Sequence, residues 1–98
     1  MTNPEIADKI ESLINELGEV RGKLLETCFG PKDDKEVITK CRALGRETQE
    51  ICTIIMMYFR KVIRDNPDHE KLIASCKKSM DYVQGQKDFY KKALDFME

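Results

Sequence analysis

The chain has 98 residues, enough for one domain with one hydrophobic core and too few for a second. Apolar residues make up 41% and charged residues 36%, with five Gly and three Pro, which excludes a disordered or all-β chain and favours a helical bundle. Seventeen Lys and Arg against eighteen Asp and Glu leave a formal charge of −1, so no overall field draws the chain to a phosphate backbone and no nucleic-acid partner is expected.

The first predicted helix opens at Asn3-Pro4-Glu5: a capping side chain, a proline at the first helical position and an acid near the positive end of the helix dipole. Ile6, Ile10, Leu13, Leu17, Val20 and Leu24 follow at alternating spacings of 4 and 3, the heptad seam of a helix packed along its length. Ile14 and Leu25 are expected to widen that seam, and Phe29-Gly30-Pro31 to stop the helix.

Asp33 and Asp34 open a second helix, whose seam runs through Val37, Cys41, Leu44, Thr48, Ile51, Ile55, Tyr58 and Val62. Gly45 inside it costs about 1 kcal/mol relative to Ala and admits a kink, though one continuous helix is expected. Asn66-Pro67-Asp68 repeats the opening device and starts a third helix, with a seam through Ile73, Cys76, Met80, Val83, Tyr90, Leu94 and Met97. Tyr82, Phe89, Ala93 and Phe96 form a second stripe on that helix, which predicts a second neighbour for it. Glu36 to Lys40 and Asp88 to Lys92 are among the acid-before-base pairs at i, i+4 on the solvent side. The expected fold is therefore all-α: one domain, an up-down-up antiparallel three-helix bundle with a coiled-coil-like twist, its helices over about 4–28, 33–65 and 67–97.

Catalytic and metal chemistry find no support in the sequence. A di-iron bundle needs two Glu-x-x-His pairs, and His69 is the single histidine. It falls in the first turn of the third helix, where an exposed end-of-helix residue is expected rather than a phosphotransfer site. Glu47 and Glu50, like Glu16 and Glu19, read as solvated faces. Cys28, Cys41, Cys52 and Cys76 contain no CxxC pair, and Cys41 and Cys52 stand roughly 16 Å apart on one helix, so reduced buried thiols are expected. Gly18 and Gly22 form a GxxxG, which in an amphipathic helix signals close helix approach at most. No enzyme activity, cofactor or metal is expected.

Apolar surface remains to be placed. The stretch ICTIIMMYF, residues 51–59, holds eight apolar residues in nine, and at 100° per residue Ile51, Cys52, Ile54, Ile55, Tyr58 and Phe59 share one half of the helix while Met57 points away. The rise of about 1.5 Å per residue makes the first helix about 37 Å long and the second about 50 Å. Measured from the Gly30-Pro31 turn, the first helix ends early and leaves the helix 2/helix 3 end uncovered. The expected partner-binding residues are Met56, Met57, Phe59, Arg60, Val62, Ile63, Arg64, Leu72 and Ile73. This pattern predicts a non-enzymatic protein-protein interaction module, a small helical adaptor, chaperone or regulatory subunit, binding a partner helix or a second copy as a homodimer. The alternative is peripheral membrane binding through the basic and apolar segment 51–64, which the heptad register disfavours. A polar, acidic N-terminus and the absence of any apolar run of about 18 residues predict a cytoplasmic protein.

Overall fold

The computed structural model describes residues 2–29 and 34–97, with side chains from Thr2 to Thr27 and from Lys35 to Asp95. Nearly all of them lie in three helices, α1 (Asn3–Phe29), α2 (Asp34–Asp65) and α3 (Glu70–Met97), arranged up, down and up as an all-α bundle. Gly30 to Asp33, where the first predicted stop and the start of the second helix fall, lie outside the described residues, as do the side chains of Cys28, Phe96 and Met97.

The helix starts differ from the predicted ones by one to three residues. Thr2, not Asn3, caps α1: its carbonyl accepts from Ile6 N at 3.0 Å, and its hydroxyl oxygen lies 3.4 Å from Glu5 N and 3.0 Å from Glu5 Oε1. Thr2 and Glu5 thus stand in the spacing of a capping box. Pro67 and Asp68 form a turn rather than the first turn of α3, and His69 caps that helix, Leu72 N donating to its Nδ1 at 3.3 Å. On the solvent side Glu36 pairs with Lys40 at 3.1 Å, while Asp88 accepts instead from Gln84 Nε2 at 2.8 Å.

The heptad seams form the core. Ile6, Ile10, Leu17 and Val20 of α1 meet Ile51, Cys52, Ile55, Met56 and Val62 of α2, with Cys76 and Val83 of α3 on the other flank. Ile6 and Ile55 are wholly enclosed, and each such side chain contributes about 1.5–3 kcal/mol through burial. Thr48 is also enclosed, its hydroxyl donating back to Leu44 O at 2.9 Å, so no buried hydroxyl is left unpaired there. α2 runs unbroken through Gly45, and α3 shows why glycine stands there. A Cβ at that position would meet Leu94 Cδ2 at 3.0 Å.

Two side-chain amides set the axial register. Asn3 Nδ2 donates to Asn66 Oδ1 and Asn66 Nδ2 donates to Asn3 Oδ1, both at 3.1 Å, and Asn66 Nδ2 also donates to Val62 O at 2.8 Å. The start of α1 is therefore level with the α2/α3 turn, so α1 covers the end expected to be bare. The length difference appears at the opposite end: by the rise per residue, α2 runs past Phe29 by about 9 Å. Four linking residues reach up to about 17 Å, enough for that offset, so the turn did not have to hold the two helix ends level.

α1 and α3 each pack against α2 but not against each other: among the described residues no Cα of one lies within 8 Å of a Cα of the other. The Cα envelope measures 53 × 22 × 16 Å. Three helices closed into a triangle about 10 Å apart would be near 15 Å across in both short directions, so the 22 Å width reflects α1 and α3 splayed apart on the two flanks of α2. This corrects the second neighbour predicted for α3. Tyr82 and Phe89 are 64% and 65% exposed, because the helix that would cover them is out of reach. Ile14 and Leu25 of α1, expected to widen the seam, are exposed for the same reason.

Candidate functional site

The nine residues predicted to bind a partner separate into two groups. Met56 and Val62 are core, and Phe59, Ile63 and Leu72 pack half-buried against that core, with Ile73 also half-buried. They are covered because α1 reaches the Asn66 turn, which overturns the bare overhang inferred from helix lengths. Met57, Arg60 and Arg64 are exposed, and the structure brings them together with Ile54, Tyr58 and Lys61 along one shallow groove on the outward side of α2.

Helical geometry places this groove. Positions 54, 57, 58, 61 and 64 recur at spacings of 3, 1, 3 and 3, a strip opposite the buried arc of Ile55, Thr48 and Cys52. Met57 is 60% exposed and has Ile54 beside it, so the floor is apolar. The rim is cationic. Lys61 Nζ lies 3.2 Å from Asp65 Oδ2 and Arg64 Nε 3.8 Å from Asp65 Oδ1, leaving one carboxylate to serve two cations. Arg60 and Arg64, four residues apart, repel each other by a few tenths of a kcal/mol, and an acid brought by a partner would relieve this. Sequence reasoning placed Ile54 on the buried half and missed it. Its place at the edge of the apolar arc was the available signal.

A second exposed apolar surface lies on the opposite side of the molecule. The Leu94 contact puts α3 on the Gly45 side of α2, leaving the Ile51 and Val62 side for α1. With right-handed helices in that arrangement, Ile14 and Leu25 of α1 and Tyr82 and Phe89 of α3 turn to the same face, along the gap between α1 and α3. Arg21 and Lys87 both act on the enclosed Cys52 thiol, consistent with side chains from the two flanking helices reaching over α2 there.

The segment 51–64 considered for membrane binding spends Ile51, Cys52, Ile55, Met56 and Val62 on the core, and no helix among the described residues is long and apolar enough to cross a membrane. Cys52 and Cys76 are free and buried, Cys41 is buried, and the Cys28 side chain lies outside the described ones. Among the described residues no three His, Cys, Asp or Glu side chains converge as metal ligands would. Compared with protein-family models, curated proteins and solved structures, the chain matches none.

Proposed function

We propose that this protein is a non-enzymatic interaction module whose α2 presents Ile54 and Met57, ringed by Arg60, Lys61 and Arg64, to an acidic amphipathic helix of a partner protein. The observation that carries this reading is Met57, a large flexible side chain left 60% exposed on the outward side of α2, more open than the neighbouring Ile54 at 41%. Apolar floor and cationic rim divide the work as interfaces commonly do: the floor supplies the affinity and the rim sets orientation and on-rate. A helix carrying leucines at i, i+3 and i+7 with glutamates on both sides is complementary in shape and charge.

The reading is tested with such a fluorescein-labelled peptide titrated against the full chain. Binding is expected to weaken at least tenfold for Met57→Asp and to fall with added salt, while circular dichroism is unchanged because Met57 supports no core contact. Equal binding by Met57→Asp would overturn the reading. So would Met57-dependent flotation of the protein on phosphatidylserine vesicles in place of peptide binding, which would assign the strip to a lipid surface.

A further inference from the structure

We infer that a second copy of this chain covers the face formed by α1 and α3, in a two-fold dimer whose axis runs along the helices so that α1 of each copy packs on α3 of the other. The two walls of that face differ in chemistry. α1 turns Ile14, Leu25 and two glycines toward it, bordered by the exposed acids Asp8, Glu11 and Glu26, with the single base Arg21 at the inner edge near Cys52. α3 turns Tyr82 and Phe89 toward it, bordered by the exposed Lys71, Lys78 and Lys92. None of the six bordering charges forms an ion pair among the described residues. An acidic aliphatic wall and a basic aromatic wall on one molecule are complementary to each other, and a two-fold axis brings each onto the other's counterpart.

The heights agree. Asn3 is level with Asn66 and Leu94 with Gly45, so a residue of α1 stands level with the residue of α3 about 70 positions later. With the axis along the helices, heights are preserved between copies. Lys78 then comes level with Asp8 and within a turn of Glu11, and Lys92 comes level with Gly22 and about a turn from Glu26. Phe89 arrives between Gly18 and Gly22, where no atom lies within 4 Å of the place a Cβ would occupy, leaving room for an aromatic ring. The other two-fold arrangement, α1 on α1 and α3 on α3, would set acids against acids and lysines against lysines. The face also suffices in area. α1 is about 39 Å long and the molecule 22 Å wide, so each copy offers about 800 Å², the amount a stable interface usually buries on each partner.

Sedimentation equilibrium of the full chain at micromolar concentration tests this. The expected mass is twice 11.4 kDa, and Phe89→Glu is expected to weaken the dimer at least tenfold with helicity retained. Reversing one wall, as Lys78→Glu with Lys92→Glu or as Glu11→Lys with Glu26→Lys, should give monomers. Reversing both walls in one chain should restore the dimer, which the alternative two-fold arrangement would not do. A wild-type monomer, or a dimer indifferent to Phe89→Glu, overturns the inference. The inference is separable from the proposed α2 strip, because Met57→Asp should leave the dimer intact. A dimer lost in that variant would run through α2 and also overturn it.

Discussion

Cys52 is wholly enclosed, and burial pushes its thiol up, against a smaller downward pull from Lys87 and then Arg21. Burial alone pushes Cys76 up as well. Both thiols therefore keep their protons in the folded chain to higher pH than in the unfolded one. The folded state binds more protons in that window, so stability is full below the ordinary thiol range, near 8.5, and falls as pH rises through the raised folded values. Urea denaturation between pH 7.5 and 10 should show this decline. Cys52→Ala with Cys76→Ala, though less stable throughout, should show a shallower one, and parallel curves would mean that the thiols carry no linkage. At this scale much was legible. The direction of Met57 followed from 100° per residue, and the buried thiols of Cys41, Cys52 and Cys76 from their spacing. The exposure of Tyr82 and Phe89 did not follow, because periodicity reports an apolar stripe and not whether anything fills it.

Glycines inside helices distinguish the packed surface of an element from its free one. Gly85 has nothing within 4 Å of a Cβ position, so Gly85→Ala should gain the helix propensity of alanine, roughly 0.8 kcal/mol, and raise Tm by about 4 °C in a thermal melt. Gly45→Ala makes the same gain but would set its Cβ 3.0 Å from Leu94 Cδ2 and 3.2 Å from Cγ, and Leu94 is itself buried. Repacking there costs about 1–3 kcal/mol, so the net effect should be a loss of about 1 kcal/mol. In a Leu94→Ala background the sign should reverse, since the crowded atoms are gone. A Gly45→Ala that stabilises the parent would show that α3 yields freely at this crossing. From the sequence Gly45 read as a weakness in the helix, whereas the structure makes it a point of close approach between α2 and α3. The difference lies in a contact between residues 49 positions apart, which no local pattern encodes.

For the molecule as a whole, the Asn3 and Asn66 pair ties the start of α1 to the α2/α3 turn. Both amides are partly open to water, so each truncation should cost only roughly 0.5–1 kcal/mol, with Asn66→Ala the larger because it also gives up the Val62 carbonyl. In a double-mutant cycle by urea denaturation, Asn3→Ala with Asn66→Ala should cost less than the two single changes added together, by about 0.5 kcal/mol. Strict additivity would mean that Ile6 and its core neighbours hold the register unaided. This register decides which apolar surface is free. It buries Met56 and Val62 and half-buries Phe59 at the end where a bare overhang was expected, while Met57 and its arginines face outward in any register.

Three helices, their approximate limits, the faces they bury and the outward direction of Met57 were all determined by the sequence alone, because rise, rotation and side-chain polarity are properties of a single helix. Tertiary structure decided the axial offset between α1 and α2, the gap between α1 and α3, and the caps at Thr2 and His69. The caps turn on which of several neighbouring side chains reaches the free N–H groups. The offset and the gap depend on the balance of contacts between distant residues. A four-residue link permits many offsets, and a wide apolar stripe fits one neighbour as well as two, so only the packed chain selects among them.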